Sequence, residues 1–150
     1  MPYKFENLSA QEYEEKVQKV KPKPTVFKNA FWAFIVGGLI SALGQLIYNS
    51  YISLGFAEKD SIAATAATLI FLGAFLTGLG LYDKIGKHAG AGSIVPITGF
   101  ANAIVAPAME YKREGYVFGV GAKMFSIAGP VLVYGFTMSV LIGLLYYIFQ

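Results

Sequence analysis

Cysteine is absent from this 150-residue sequence, and histidine occurs only once, at His88. Without cysteine there is no disulfide, no cysteine-bound zinc, no iron–sulfur cluster and no thiolate nucleophile. A lone histidine beside Lys84 and Lys87 is a poor metal ligand, and no acid–base pair or Ser/His/Asp group is recognisable. The sequence therefore predicts no metal, no cofactor and no enzyme activity.

Charged side chains are also scarce. They make up 14% of the residues, whereas 55% are hydrophobic and the mean hydropathy is +0.54; a typical soluble domain has about a quarter charged residues. The net charge of +3 is small and scattered, which argues against nucleic-acid binding. The glycine-rich stretch 86–93 lacks the spacing of a phosphate-binding loop. This composition indicates a membrane protein.

Three long stretches of the chain carry no charge at all, and they end near Ala57, Tyr82 and Gln150. A helix needs about 20 apolar residues to cross the hydrocarbon layer. The uncharged stretches therefore predict spanning helices at about 31–54, 62–82 and 131–149. They belong to a membrane domain, residues 29–150, that follows a charged head, residues 1–28.

A further uncharged run, residues 89–109, is interrupted by prolines. Pro96 can start a helix but cannot continue one through the preceding residue, and we expect a kink at Pro107. The pair Gly129-Pro130 predicts another break, because proline suits the first position of a helix. We therefore predict broken or re-entrant helices over about 89–128, which protein or water must cover at membrane depth.

These elements define the predicted fold class: an all-α integral membrane protein with three spanning helices, a broken or re-entrant segment and a short amphipathic N-terminal helix. The distribution of Lys and Arg predicts that the N-terminus is cytoplasmic. With a re-entrant segment, 11 of the 12 basic residues lie inside, whereas a fourth span would leave 8 inside. The count favours re-entrance.

The head contains a capping box, Ser9-Ala-Gln-Glu12, followed by an amphipathic pattern. Pro22 is expected to end this helix, and Lys21-Pro-Lys-Pro24 to form a stiff linker. One face carries three apolar side chains that are candidates for docking a partner: Tyr13, Val17 and Val20. The alternative is that this helix packs on its own membrane domain.

Polar residues recur every four positions in the first predicted span, where Ser41, Gln45 and Asn49 follow Gly37 and precede Ser53. On a helix this spacing forms one inclined ridge. Amides are unfavourable against lipid, so the ridge should face protein or water. It predicts either a helix–helix contact or one wall of a hydrophilic conduit.

The broken region supplies three further candidates for a solute path: Asn102, Glu110 and Lys123. Interrupted helices with polar residues at depth are how transport proteins build binding sites, since free amides face anions and unwound carbonyls face cations. The alternative reading is that Asn102 bridges backbone groups and that the two charges are interfacial anchors.

Residues 80–130 carry a long and specific resemblance. The block GAGSIVPITGFAN, residues 90–102, is followed by PAMEYKREG, residues 107–115, and together they resemble the stage V sporulation protein AC (SpoVAC) family. The resemblance extends over nearly the whole chain. It implies an integral protein of the forespore membrane, later the spore inner membrane.

The same resemblance implies a function and partners. Members of this family move dipicolinic acid with calcium into the spore and release it at germination, together with the membrane protein SpoVAEb and the soluble protein SpoVAD. A dipicolinate dianion cannot cross hydrocarbon unaided, and one chain of this size is too small to enclose a route. Self-association or association with other chains is therefore expected.

Two alternatives to a dipicolinate channel subunit stay open on the sequence. One is a mechanosensitive, low-specificity osmolyte channel. The other is a non-conducting membrane anchor that docks a cytosolic partner through the head. The deep amides Gln45 and Asn49 favour a conduit, because an anchor alone does not need them.

Overall fold

The computed structural model describes residues 9–20 and 25–149, and within these ranges all regular structure is helical. Seven α-helices follow in order: α1 (Ala10–Val20), α2 (Val26–Ser53), α3 (Glu58–Gly78), α4 (Tyr82–Ala89), α5 (Ala91–Ile94), α6 (Ile97–Glu110) and α7 (Ala122–Phe149). A 3-10 turn (Tyr111–Glu114) and a π-helical turn (Tyr116–Gly121) connect α6 to α7. The predicted linker Lys21–Pro24 lies outside the described residues.

Three helical stretches of the described chain are long and apolar enough to cross a membrane: α2, α3 and the π-helical turn together with α7, Tyr116–Phe149. This confirms the predicted all-α membrane fold. The first helix begins before residue 31 because Lys28 can extend into the interfacial layer on its flexible stem. The second ends at Gly78 because the chain turns there, with Gly80 at a φ of +66°.

Helices α2 and α3 form a hairpin joined by residues 54–57. The hydroxyl groups of Tyr51 and Thr68 lie 2.9 Å apart, and Gly44 faces Leu69. Thr68 also donates to its own helix, to the Ala64 carbonyl at 2.8 Å. The hydroxyl groups of Tyr51 and Thr68 thus form a polar contact between α2 and α3, whereas Gly44 and Leu69 form an apolar one.

The segment from α4 to α6, residues 82–110, is interrupted twice and folds back on itself. Gly73 of α3 lies against Thr98 of α6, and Thr77 of α3 lies beside Asn102 of α6. Because residue numbers rise together along both helices, α6 runs parallel to α3. At about 12, 6 and 21 Å, helices α4, α5 and α6 are each too short to cross about 30 Å of hydrocarbon. This geometry favours a segment that enters and leaves on one side.

Helix α7 begins near the end of α6 and contacts that helix. The Nζ atom of Lys123 lies 3.9 Å from the centre of the Tyr111 ring, and Gly119 packs against the Tyr111 carbonyl. From residue 130 to residue 149 every side chain of α7 is exposed. Most of this span therefore faces lipid or other chains rather than the rest of its own chain.

Gly129 and Pro130 do not break the helix, so that prediction is wrong. Both residues lie inside α7, which continues from Ala122 to Phe149. Breaking a helix within lipid leaves several backbone groups unpaired, whereas a proline in a continuous helix frees a single carbonyl, that of Ser126. The interruption lies earlier instead, at Gly115, where φ is +95° between the 3-10 and π turns.

At Pro107, where a kink was expected, α6 is not interrupted and continues to Glu110. Pro96 immediately precedes α6 in an extended conformation, with φ and ψ of −62° and 159°. The difference follows from position. The first N–H groups of a helix have no carbonyl partner within it, so a proline at Pro96 costs no hydrogen bond. Pro107 lies inside α6, where the helical turns before and after it hold the helix together.

The folded-back segment predicts a labelling pattern. Because the chain has no native cysteine, single substitutions report membrane sidedness directly. We expect Lys84→Cys and Lys112→Cys to react with an impermeant maleimide from the same side of the membrane, and Lys59→Cys only from the other side. If Lys112→Cys reacted from the side of Lys59→Cys, residues 82–110 would have to cross the membrane.

Candidate functional site: the broken segment and the amide ridge

A buried polar cluster holds the broken segment in place. The Tyr82 hydroxyl donates to the Ser93 carbonyl at 2.7 Å and lies 2.8 Å from Thr98 Oγ1, which can donate in return. Tyr82, Ser93 and Thr98 are all buried. One tyrosine thus joins the start of α4, the end of α5 and the first turn of α6, so the backbone around Pro96 is fixed by hydrogen bonds.

Asn102 belongs to a second polar contact between α3 and α6. Thr77 Oγ1 lies 2.7 Å from the Gly73 carbonyl and 2.9 Å from Asn102 Oδ1, and its hydrogen is directed to these two acceptors. Asn102 is half-buried and lines a cavity of about 230 Å³ that also borders Asp83. Asn102 therefore bridges two helices and also borders this cavity.

Close backbone approach surrounds both polar contacts. A Cβ at Gly73 would lie 2.7 Å from the Thr98 carbonyl oxygen, and one at Gly92 would lie 2.7 Å from Ala33 Cα. Real Cβ atoms do not come this near to a neighbouring backbone, so only glycine fits. Small residues of this kind let membrane helices approach closely. They fix α6 on α3 and α5 on α2.

The amide ridge, Ser41-Gln45-Asn49 of α2, lies on another face. All three side chains are exposed, and Gln45 Nε2 donates to Asn49 Oδ1 at 2.9 Å. Gly44 and Tyr51 face α3 instead. The ridge therefore turns away from the hairpin partner, and the residues that the structure describes leave it exposed.

The structure does not gather the predicted path residues into one site. Asn102 faces α3, whereas the amide ridge faces outward from α2. Glu110 is exposed at the end of α6, and Lys123 rests on the Tyr111 ring at the start of α7. A path lined by all of these groups would have to pass along the surface of the chain, between it and another protein.

Sequence reasoning missed the anchoring role of Tyr82, Ser93 and Thr98. A signal was present, because Ser93 and Thr98 flank Pro96, where a helix break leaves carbonyl groups that need donors. The donor itself, Tyr82, lies 11 residues before Ser93. Only the fold-back of α4 and α5 brings them together.

The head helix α1 begins with the predicted capping box. Ser9 donates to Glu12 Oε2 from its backbone nitrogen and from its hydroxyl, both at 2.9 Å. These hydrogen bonds, led by the backbone N–H of Ser9, hold the pKa of the Glu12 carboxyl below its ordinary value. Tyr13, Val17 and Val20 are exposed along the helix, so its apolar face is not packed on the described part of the membrane domain.

The fold and these sites define a class, an all-α membrane protein with three candidate spanning helices and a folded-back segment. The model of the SpoVAC/SpoVAEB sporulation membrane protein family matches residues 29–145. Stage V sporulation protein AC of Bacillus subtilis (strain 168) is 49% identical over 139 residues, 92% of this chain and 93% of that protein. The chain belongs to the SpoVAC/SpoVAEB family. No solved structure matches it significantly.

Proposed function

We propose that this chain is a membrane subunit of a channel that carries dipicolinate, with calcium, into the forespore and out again at germination. Its membership of a sporulation membrane protein family supports this proposal. The observation that carries it is the amide ridge, which is exposed on a helix otherwise suited to lipid. Gln45 and Asn49 need water, solute or protein opposite them, and a polar route along α2 provides that.

The route in this proposal lies between chains rather than inside one. The cavity of about 590 Å³ between α2 and α3 is lined almost entirely by apolar side chains, such as Leu43, Leu72 and Phe75, and suits no dianion. The outward-facing ridge provides one polar wall, and a second membrane protein provides the other. A SpoVAEb-like protein is the proposed membrane partner, and further copies of this chain are the alternative.

Several other features find a place in the same proposal. Glu110 and Lys123 lie at the end of α6 and the start of α7, where they are proposed to border the cytoplasmic mouth. Helix α1, with Tyr13, Val17 and Val20 exposed, is proposed to dock a soluble SpoVAD-like protein. The membrane is proposed to be that of the forespore, with the N-terminus in the cytoplasm, and the function is proposed to be transport rather than catalysis.

Asn49→Leu tests the conduit. In liposomes holding this protein and its membrane partner, we expect dipicolinate efflux to fall about tenfold or more, because a hydrogen bond to a charged solute contributes about 1.5–3 kcal/mol. Ser50→Leu is the matched control: it is equally exposed and adjacent, but about 100° away around the helix. Its flux should equal that of the wild type.

The alternatives give other results in the same assay. If Asn49→Leu separates the two proteins on size exclusion, the ridge is a packing surface and the conduit fails. If the variant slows a neutral osmolyte as much as dipicolinate, a low-specificity osmolyte channel replaces the proposal. If neither solute moves through the wild-type complex, the exposed face of α1 favours the membrane anchor.

A further inference from the structure

A second polar site lies at the membrane surface, away from the amide ridge. The first two turns of α2 and the end of α4 enclose a cavity of about 490 Å³, the interfacial cavity. Its lining includes Asn29, Ala33, Lys87, His88 and Gly90, and none of the described residues that border it is acidic. A pocket with cationic and amide groups and without acidic ones favours an anion.

The depth of the interfacial cavity places it among lipid headgroups. Helix α2 has 28 residues and is about 42 Å long, so each end extends about 6 Å beyond a hydrocarbon layer of about 30 Å. Asn29 lies within that margin. Trp32, the only tryptophan of the chain, follows in the next turn, and this residue type prefers the boundary between headgroups and hydrocarbon.

Two polar side chains around the cavity, those of Asn29 and Lys87, offer hydrogen-bond donors. Thr25 Oγ1 donates to Asn29 Oδ1 at 3.2 Å, which occupies the acceptor of that carboxamide and leaves its NH₂ group available. His88 Nδ1 lies 3.1 Å from the Lys84 carbonyl, so it donates there; Nε2 of the neutral ring is then an acceptor, and His88 adds no donor to the cavity. Lys87 adds an ammonium group, which completes a set suited to a phosphate.

We propose that the interfacial cavity binds the phosphate of an anionic phospholipid headgroup, through Lys87 and the amide of Asn29. The apolar cavity between α2 and α3 begins at Val36, about 4.5 Å further along α2 than Ala33. That apolar surface can receive an acyl chain below the headgroup. Basic pockets between membrane helices on one leaflet are a recurrent form of lipid recognition. The site is independent of the proposed transport function.

Because Trp32 is fluorescent, the proposal can be tested without attaching a label to the protein. Full-length protein is placed in phosphatidylcholine vesicles that contain a small fraction of brominated phosphatidylglycerol or, separately, brominated phosphatidylcholine. Enrichment of the anionic lipid near α2 then appears as extra quenching of Trp32 fluorescence. For the wild type we expect phosphatidylglycerol to be preferred about fivefold or more, since each basic side chain at the surface adds about 1 kcal/mol.

Lys87→Gln should lower that preference about fivefold. Lys84→Gln is the matched control, because Lys84 carries the same charge on α4 but does not border the cavity; its preference should stay at the wild-type value. Equal losses in the two variants would reduce the effect to general surface charge and overturn the site. Loss of the preference on adding free inorganic phosphate or dipicolinate would make it a site for soluble anions, which overturns the lipid assignment.

A neutral substitution tests the amide without changing charge. Asn29→Ala should reduce the phosphatidylglycerol preference at least twofold. Thr25→Val removes the same Thr25–Asn29 hydrogen bond but keeps the amide, so it should retain the preference. If Asn29→Ala leaves the preference unchanged, the carboxamide does not contact the headgroup and the proposed geometry is wrong.

Discussion

Gly73→Ala is expected to destabilise the protein by about 1–3 kcal/mol, because the new methyl group has no room beside Thr98. The added Cβ would lie 2.7 Å from the Thr98 carbonyl oxygen and 2.9 Å from its Cα, and both are backbone atoms that cannot rotate away. Helix α6 must then separate from α3. Unfolding by SDS in mixed micelles, followed by circular dichroism, measures the loss.

Gly78→Ala provides the control within the same helix. No atom lies within 4 Å of a Cβ at that position, and alanine is the better helix former by up to about 1 kcal/mol. We therefore expect this variant to be as stable as the wild type or slightly more so. Equal destabilisation of the two variants would show that α6 does not pack on Gly73.

Tyr82→Phe is expected to have an effect of similar size for a different reason. Tyr82 is 4% exposed, and its hydroxyl serves the Ser93 carbonyl and Thr98 Oγ1. Removing it leaves a buried acceptor unpaired, which costs about 1–3 kcal/mol. The same SDS unfolding experiment measures this loss, and faster backbone amide exchange in residues 91–99 should accompany it.

Tyr116→Phe is the comparison for the hydroxyl. Tyr116 is 75% exposed, so the loss of its hydroxyl should change stability by no more than about 0.5 kcal/mol. If Tyr82→Phe also leaves the stability unchanged, water or another group replaces the lost donor, and the cluster does not anchor the segment.

The first two spans and the start of the head helix could be predicted from the sequence because their signals are local. Charges cannot lie deep in lipid, so the uncharged stretches around residues 31–54 and 62–82 mark α2 and α3 within a few residues. The capping box is equally local, since Ser9 and Glu12 are three residues apart. Signals of this kind do not depend on which helices meet.

The arrangement of the site could not be predicted for the opposite reason. Asn102 contacts Thr77, which lies 25 residues earlier in the chain. The residue spacing within each helix does not predict that these two faces pack together. The prediction of a break at Gly129-Pro130 is wrong because the need to pair backbone groups in lipid outweighs the local preference of proline for a helix start. The outward direction of Gln45 likewise depends on where α3 packs.

The amide ridge and the interfacial cavity divide two tasks along α2. Asn29 and its neighbours are close to the first turn, whereas Asn49 is near the last. In the two proposals, a lipid binds at one end of α2 and a solute path runs along the other end. A lipid bound to α2 would then help to fix the position of this helix in the bilayer, and with it the position of the path. The lipid-binding and flux experiments separate these tasks, because Lys87→Gln leaves Asn49 untouched.

The parallel run of α3 and α6 also sets an order of events during synthesis. Helices α2 and α3 can enter the bilayer as soon as they are made, since each pairs its own backbone. The segment from Tyr82 to Glu110 packs on that hairpin, where Gly92 lies against Ala33, Thr98 against Gly73 and Asn102 against Thr77. We therefore expect this segment to reach its final packing only after α2 and α3 have formed the hairpin on which it rests.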